Sequence, residues 1–359
     1  MMNGKKIAID ARMIEMSGIG TYIQHLMGQG IYDYAFGNEE DIRKYDKIVK
    51  IIPFKASIYG PKEQMCFPNR IMRRAGIEVV HFPHYNVPLS YKGKYVVTVH
   101  DLTHVILPDF LGSRIKYYYA KFLLNQALKN AEHIFTVSEN SKKDICEIFG
   151  IDSTNITVTY NAVDSEFRVK QKEEIEYLYN KYRIPRDRKI LLYVGNLKPH
   201  KNLGRLLEAL SMLDDKEEYC LVLVGKEFSS SKLQEQERLL RVEEQVVHTG
   251  LVNKEDLIDL YNLADLFIFP SLYEGFGIPP LEAMACGTPV IAADNSSIPE
   301  VVGDAAVLFD AMDVNDIKRA ICEMSANNIE HFVSIGKHRA ARFSWDEMAG
   351  VVRDRLNQI

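Results

Sequence analysis

The sequence is poor in cysteine, and its cysteines form no pattern that would hold a structure together. Five cysteines are spread over 359 residues, and no two of them stand in a Cys-x-x-Cys pair. This spacing excludes a small disulfide-bonded scaffold and a zinc ribbon. We interpret all five as ordinary core or surface thiols.

The chain also lacks an apolar run of the roughly 20 residues that a membrane-spanning helix requires. Residues 1–6 lead directly into a short apolar strand that begins at Ile7, with no signal-peptide core and no small-residue cleavage site. Internal repeats and low-complexity tracts are absent as well. We therefore expect a cytoplasmic protein.

No strong excess of one charge is present. The formal net charge is −5, with a mildly basic first half and an acidic second half. This balance excludes a duplex nucleic-acid binder, which would carry a basic surface. A hydrophobic content of 47% and a charged content of 26% are typical of globular proteins. At about 150 residues per domain, the length suits two domains.

Short apolar strands alternate with helices through both halves of the chain. Strands that are apolar throughout predict parallel sheets covered on both faces. We predict two doubly wound α/β domains, at residues 1–165 and 166–340, and a final helix within 341–359. Because such sheets bind ligands beyond the carboxyl ends of their strands, the loops after strands are the candidate site. The predicted strands are Lys6–Asp10, Lys47–Ile52, Val79–Phe82, Tyr95–His100, His133–Val137 and Ile156–Thr159 in the first half, and Ile190–Gly195, Tyr219–Gly225, Val246–Gly250, Leu266–Ser271, Pro289–Ala293 and Ala305–Phe309 in the second.

The strongest motif runs from Pro270 to Gly287, where a strand ends, a glycine-rich loop follows and a helix begins. Gly275 and Gly277 allow the backbone to approach a ligand, and the helix start offers N–H groups to an anion. Glu274 and Glu282 are candidate acceptors for sugar or ribose hydroxyls. Without further context, the same pattern also fits a capped helix with two glutamates near its positive end.

Three other strand ends carry candidate residues. Lys201 follows the strand that begins at Ile190 and is able to hold a diphosphate as a point charge. The turn Gly18-Ile19-Gly20 follows the first strand and opens a helix from about Thr21, but it lacks the third glycine of a dinucleotide fingerprint. His100 and Asp101 end another strand, and a His–Asp pair is a candidate general base.

The Glu274-x7-Glu282 pattern in this setting resembles the signature of retaining glycosyltransferases of family four. The resemblance extends from Ile9-Asp10-Ala11-Arg12 to Phe343-Ser344-Trp345. It is closest to bacterial transferases that add mannose or glucose during polysaccharide assembly. It implies the GT-B fold: two Rossmann-like domains that face each other across a cleft, with the C-terminal helix crossing back to the first domain. The first domain is then the acceptor side, and the second binds the nucleotide sugar.

The resemblance also implies roles for individual residues. Glu274 would contact the donor sugar, His100 would lie near its C6 hydroxyl, and Lys201 would face the diphosphate. Glu282 would hold the ribose. The remaining donor-binding residues that it implies are Gly20, Asn196, Phe276, Gly277 and Ile278. Asn196 departs from the arginine of many family members, which removes one cation and a bidentate donor.

The implied activity is retaining transfer of glucose or mannose to a glycan or lipid-linked acceptor. The implied donor is a UDP-sugar or, alternatively, GDP-mannose, and no cofactor is implied. We expect no metal site, because no Asp-x-Asp occurs in the sequence and the GT-B resemblance implies metal-free chemistry. Two alternatives stay open: a sugar-nucleotide epimerase on the same fold, and a non-catalytic nucleotide-sugar-binding subunit.

A helix predicted at Gly112–Ala131 combines basic and aromatic residues. It contains Arg114, Lys116, Lys121 and Lys129, three consecutive tyrosines and Phe122, and no acidic residue. Another basic cluster, Arg70, Arg73 and Arg74, lies upstream. This combination suits a helix that lies on anionic lipid. The alternative is a soluble helix whose aromatic residues face the core. We therefore include peripheral contact with an anionic membrane among the expectations.

Overall fold

The computed structural model describes residues 5–58, 60–108, 112–226, 231–326 and 329–359. The chain divides into two compact units. The first comprises the chain up to Asn161 together with Ser344–Ile359, and the second comprises Ala162–Phe343.

The first unit is built on a parallel sheet whose strand order is β3-β2-β1-β4-β5-β6-β7. Its interior consists of apolar side chains such as Ile7, Ile9, Phe36 and Phe135, which are buried on either face of the sheet. Strands of this kind must be covered by helices on both sides. The strands are β1 Lys6–Asp10, β2 Tyr34–Gly37, β3 Lys50–Pro53, β4 Ile77–Phe82, β5 Lys94–Val99, β6 His133–Thr136 and β7 Ile156–Val158.

The helices of the first unit divide between the two faces of this sheet. Connections between parallel strands are right-handed, so the direction of each crossover decides the face on which its helix lies. The helices that follow β1 and β2 therefore lie on one face, and those that follow β3, β5 and β6 lie on the other. The helices are α1 Ser17–Met27, α2 Glu39–Ile42, α3 Pro61–Met65, α4 Asn69–Ala75, α5 Thr103–Ile106, α6 Arg114–Asn130, α7 Glu139–Phe149 and, at the end of the chain, α17 Trp345–Gln358.

The C-terminal helix α17 packs against α1. The hydroxyl of Ser344 caps its first turn by accepting from the Glu347 amide at 3.3 Å. The ring of Trp345 stacks on His25 with centroids 4.2 Å apart. Because Trp345 is only 7% exposed, this contact makes α17 part of the first unit's core.

The second unit has a parallel sheet of order β10-β9-β8-β11-β12-β13. Its strands are β8 Lys189–Val194, β9 Tyr219–Val224, β10 Val246–Gly250, β11 Leu266–Phe269, β12 Val290–Ala293 and β13 Ala306–Phe309. Its helices are α8 Lys172–Ile175, α9 Tyr177–Tyr182, α10 Leu203–Ser211, α11 Ser231–Leu240, α12 Lys254–Leu263, α13 Ile278–Ala285, α14 Ile298–Val302, α15 Val314–Ala326 and α16 Ile329–Ala340. The prediction of two parallel α/β sheets is confirmed.

Several local predictions differ from the structure, among them the following three. Strand β2 was missed, because the three residues before its terminal Gly37 are too few to give a clear periodic signal. Strand β3 begins at Lys50 rather than Lys47. Helix α1 begins at Ser17 rather than about Thr21, because its two glycines lie inside the first helical turns and do not form a separate turn. Among the described helices, none is long and apolar enough to cross a membrane.

Candidate active site

Two predicted residues meet at the carboxyl edge of the second unit's sheet. Lys201 lies in the loop after β8, and Glu274 lies in the loop after the neighbouring strand β11. Lys201 Nζ is 2.5 Å from Glu274 Oε1, and each side chain is 16% exposed. The ammonium also lies 5.7 Å from the ring centre of Phe269. The pair is therefore a partly desolvated ion pair that still has access to solvent.

The loop that carries Glu274 is fixed by a polar run, residues 295–297, after strand β12. The Glu274 amide donates to Ser296 Oγ at 3.0 Å. The buried hydroxyl of Ser297 donates to the carbonyls of Glu274 and Phe276, at 3.0 and 2.9 Å. Sequence reasoning missed these serines. The signal that was present is an Asn-Ser-Ser run at the carboxyl end of a buried strand.

Helix α13 begins in this loop, and its first turn offers few backbone N–H groups. Gly277 precedes it at φ +106°, a conformation that glycine adopts without strain. Pro279 and Pro280 have no N–H, so Ile278 is the residue of the first turn that offers an N–H to a ligand. Phe276 is 3% exposed and packs edge-on against Phe343 at 5.5 Å. Phe276 is therefore able to contact a ligand only through its backbone.

Glu282 lies in α13 and accepts a hydrogen bond from the Tyr261 hydroxyl at 2.8 Å. Burial raises the pKa of Glu282 to about 7, although the Tyr261 hydrogen bond acts in the opposite direction. The nearby Asp164 raises this pKa further. Near neutral pH the carboxyl group therefore changes its charge, and a ligand that donates hydrogen bonds to it favours the ionised form.

The end of β8 is tightly packed around Tyr193. Its buried hydroxyl donates to the Asn196 carbonyl at 3.2 Å, and a Cβ on Gly195 would lie 2.4 Å from that hydroxyl. A side chain at 195 would therefore force the buried Tyr193 ring to shift. The side-chain Oδ1 of Asn196 is buried and has no hydrogen-bond partner among the described residues. A buried acceptor of this kind is costly unless a ligand or water satisfies it.

Gly20 lies in the first unit, inside the second turn of α1. A Cβ at this position would lie 2.5 Å from the Ile14 carbonyl oxygen, and the Gly20 amide donates to the Met16 carbonyl at 2.6 Å. Close packing of α1 against the loop that precedes it therefore explains the need for glycine at this position. At Gly18, by contrast, a Cβ would meet nothing within 4 Å.

His100 follows β5 in the first unit. Its Nε2 lies 3.0 Å from the Pro83 carbonyl, and its ring packs edge-on against Tyr22. Burial lowers the pKa of His100 to about 4. The ring is therefore neutral near pH 7, with its proton on Nε2 facing the carbonyl and Nδ1 left as an acceptor. Asp101 accepts from the Thr103 amide at 2.9 Å.

A buried ionic cluster at the carboxyl end of β1 was also missed. Arg12 donates to Asp10 at 2.6 Å and to Glu63 at 2.5 Å, and Asn86 donates to the other oxygen of Glu63. Burial alone would lower the pKa of Arg12, but the two carboxylates raise it well above its ordinary value. The contact with Glu63 joins residues 51 positions apart, so no local pattern in the sequence announces it.

The predicted residues thus fall into two groups. The second unit brings Lys201, Asn196 and the residues from Glu274 to Glu282 to the carboxyl edge of its sheet. The first unit places Gly20 and His100 after its own strands β1 and β5. Within the described part of the chain, no cluster of three or more His, Cys, Asp or Glu side chains is arranged to hold a metal ion.

Known proteins identify the class of enzyme to which two such parallel sheets, with a glycine loop and two glutamates after one strand, belong. The family described as glycosyl transferases group 1 matches residues 174–340, and the family described as glycosyltransferase family 4 matches residues 35–167. The Escherichia coli O-antigen chain mannosyltransferase B is 32% identical over 274 residues, which cover 75% of this chain and 71% of that protein. The chain therefore belongs to this family of glycosyltransferases, as its motifs predicted.

A second relative agrees with this assignment, and a solved structure shows the fold. The Escherichia coli serotype-specific mannosyltransferase WbdA is 33% identical over 287 residues, covering 75% of this chain. This chain matches about one third of that longer protein (34%). The Anabaena protein HepE, in complex with UDP and glucose, matches with a TM-score of 0.79 at 18% identity, covering 99% and 100% of the two chains. That structural likeness confirms the predicted GT-B fold.

Proposed function

We propose that this glycosyltransferase is a retaining hexosyltransferase that uses a nucleoside-diphosphate sugar. Its acceptor would be a hydroxyl group of a glycan or of a lipid-linked saccharide. The observation that carries the proposal is the Lys201–Glu274 pair, which lies beside the glycine loop and the start of α13. One cation, one carboxylate and the Ile278 N–H at the same sheet edge match the parts of a sugar diphosphate.

The proposed donor contacts divide by charge. Lys201 and the Ile278 amide would bind the diphosphate, because an ammonium and a helix start both attract anions. Glu282 would accept hydrogen bonds from the ribose, and Glu274 from the hydroxyls of the transferred sugar. The buried Oδ1 of Asn196 would accept from a ligand N–H or O–H group, since a carbonyl oxygen repels phosphate.

Breaking the glycosidic bond places negative charge on the leaving diphosphate and positive charge on the sugar. Preorganised donors around the diphosphate would supply most of the stabilisation. The leaving phosphate would take the proton of the acceptor hydroxyl. The low pKa of His100 fits a hydrogen-bonding residue better than a general base that works near neutral pH. The roles that the family resemblance gives to His100 and Gly20 stay predictions.

The identity of the transferred sugar is a finer proposal. The names of the relatives at 32–33% identity specify mannose, whereas the complexes of the Anabaena protein contain UDP, glucose or UDP-glucose. The higher sequence identity favours mannose. GDP-mannose and UDP-glucose are therefore the two donors to test first.

The test is an incubation of the purified protein with each donor, with and without methyl α-mannoside as acceptor. The proposal predicts release of nucleoside diphosphate that depends on the acceptor, and a product with the donor's α configuration by NMR. Conversion of the donor into another nucleotide sugar without acceptor would identify an epimerase. Donor binding without turnover across a panel of saccharide acceptors would indicate a non-catalytic subunit, and a β-linked product would exclude retention.

We also propose that catalysis needs no metal ion and no cofactor. The groups proposed to stabilise the diphosphate are the Lys201 ammonium and the Ile278 N–H at a helix start, which supply positive charge without a metal. Activity is expected to survive an excess of EDTA with at most a modest decrease. Complete loss that Mg²⁺ or Mn²⁺ restores would contradict this part of the proposal.

A further inference from the structure

Helix α6 in the first unit has two apolar faces, and only one of them packs on the core. Leu123, Leu124, Ala127 and Leu128 are each 2% exposed and cover the sheet. Large apolar side chains on the rest of the helix remain in solvent: Ile115 is 82% exposed, Tyr118 66%, Phe122 49% and Tyr119 44%. Four such residues on one helix form more than the scattered apolar exposure that is normal on protein surfaces.

These four exposed side chains share one stripe of the helix. At about 100° of rotation per residue, Ile115, Tyr118, Tyr119 and Phe122 fall within an arc of roughly 100°. Arg114 and Lys116 lie on opposite sides of that arc, each about 100° from Ile115. Apolar and aromatic groups in the centre with cations at both margins are the arrangement of a helix that lies in a membrane interface.

Helix α4 adds three arginines on the same side of the sheet. Helices α4 and α6 follow β3 and β5, and both crossovers run in the same direction across the sheet, so right-handed connections place both helices on one face. Arg70, Arg73 and Arg74 are exposed, and the neighbouring Ile71 is 51% exposed. We call α4 and α6 with these exposed side chains the basic-aromatic face.

The cations of this face are not balanced within the first unit. Neither α4 nor α6 contains an acidic residue. None of their exposed bases forms an ion pair with a residue that the structure describes; these bases are Arg70, Arg73, Arg74, Arg114, Lys116 and Lys129. A surface that complements this face electrostatically would therefore be negatively charged.

We propose that the basic-aromatic face binds the surface of an anionic bilayer, with α6 lying in the headgroup region. Anionic lipid headgroups present negative charge above an apolar layer. This arrangement matches cations at the margins of an apolar stripe. Tyrosine is favoured at this depth because its ring is apolar and its hydroxyl is polar. Aromatic residues and arginine are also enriched in protein interfaces, so a dimer through this face is one of the outcomes that the tests below separate from lipid binding.

Co-sedimentation with vesicles tests this proposal without using enzymatic activity. The protein should bind vesicles of equal parts phosphatidylglycerol and phosphatidylcholine at low salt. It should bind pure phosphatidylcholine much more weakly, and added salt should weaken its binding to the anionic vesicles. The charge variant Arg114→Gln/Lys116→Gln should bind the anionic vesicles roughly thirtyfold more weakly. The apolar variant Ile115→Ser/Phe122→Ser should bind at least tenfold more weakly.

The matched control is Lys47→Gln/Ile48→Ser. It also removes a base and an apolar residue, of which Ile48 is 92% exposed, but it lies outside the basic-aromatic face. The control should bind as the parent protein does. The proposal is overturned if the parent protein fails to bind anionic vesicles at low salt, or if all three variants bind equally.

Fluorescence gives a second readout that separates insertion from loose electrostatic contact. The only tryptophan, Trp345, is largely buried and supplies a constant background. In a Tyr118→Trp variant, anionic vesicles should shift the emission to shorter wavelength, and lipids brominated near the headgroup should quench it. Unchanged emission on vesicle-bound protein would contradict insertion. A concentration-dependent dimer that Ile115→Ser/Phe122→Ser abolishes would assign the face to a second copy of the chain instead.

Discussion

The carboxyl edges of the two sheets are built from similar topology but opposite chemistry. At the edge in the second unit, an ion pair retains access to solvent. Gly277, at φ +106°, allows the backbone there to approach a ligand. The edge in the first unit buries its charges in the Asp10–Arg12–Glu63 cluster and keeps its histidine neutral. Its Gly20 serves internal packing, since no room exists for a Cβ.

The comparison shows that a glycine or a charged residue after a parallel strand does not by itself indicate a ligand-binding site. In the second unit, Lys201 retains solvent access and remains available to an anion. In the first unit, Arg12 is fully engaged by two carboxylates, and its side chain is 4% exposed. This difference supports the proposal that the anionic part of the donor binds at the second edge.

The largest expected effect comes from Lys201→Met. It removes the cation that would stabilise the leaving diphosphate, and we expect turnover to fall about 10²–10³-fold, as for loss of other transition-state donors. The measurement is acceptor-dependent release of nucleoside diphosphate. Lys198→Met is the matched control, because Lys198 is an exposed lysine in the same loop. Equal losses in the two variants would remove the argument for Lys201.

The glycines of α1 give the next largest effect. Gly20→Ala places a Cβ 2.5 Å from the Ile14 carbonyl and should destabilise the protein by about 1–3 kcal/mol. Gly18→Ala meets no neighbour within 4 Å and should be neutral or stabilising by less than about 1 kcal/mol. Thermal unfolding checks the difference. Similar melting temperatures for the two variants would contradict the packing explanation of Gly20.

A smaller, pH-dependent effect is expected from Glu282→Gln. Burial raises the pKa of Glu282 from 4.5 to about 7, so between these values the folded state keeps a proton that the unfolded chain has released. Stability from this group is therefore lost as pH rises through 7. The variant does not ionise, so its melting temperature should exceed that of the parent by a few degrees at pH 8 and by little at pH 5.

The control for this prediction is Glu255→Gln, at an exposed position in the first turn of α12. Its melting temperature relative to the parent protein should be similar at the two pH values. If Glu282→Gln gives no larger gain at pH 8 than at pH 5, then Glu282 ionises in the folded protein at the same pH as in the unfolded chain, and its pKa is not raised.

The smallest expected effect concerns His100. Its pKa near 4 means that the ring stays neutral from pH 5 to 8. His100→Asn is therefore expected to change the rate without changing the shape of the pH–rate profile in that range. If the parent protein shows a limb near pH 6 that this variant lacks, then His100 titrates during turnover and acts as an acid or a base.

The sequence predicted what depends on local pattern. Continuous apolar runs such as the strand after Lys189 predict buried parallel strands, and parallel strands bring their terminal loops to one edge. For that reason Lys201 and Glu274 were both predicted at the same sheet edge, although 73 positions separate them.

The remaining features depend on contacts that no local pattern encodes. Ser296 and Ser297 reach the Glu274 loop because β12 lies beside β11, and Arg12 meets Glu63 only through the fold. The start of α1 was misplaced because glycine lowers helix propensity, whereas close packing against Ile14 compensates for that cost at Gly20. At Gly20, tertiary structure therefore overrides the local preference.

The most direct test of the central claim is calorimetric titration of GDP-mannose and UDP-glucose into the parent protein and into the Glu282→Ala and Lys201→Met variants. The account predicts that at least one donor binds the parent protein at a single site. Loss of the charged ribose acceptor in Glu282→Ala should weaken this binding by about 1.5–3 kcal/mol. Lys201→Met should also weaken it, whereas Lys198→Met should not. Unchanged affinity in both Glu282→Ala and Lys201→Met would contradict donor binding at the second sheet edge.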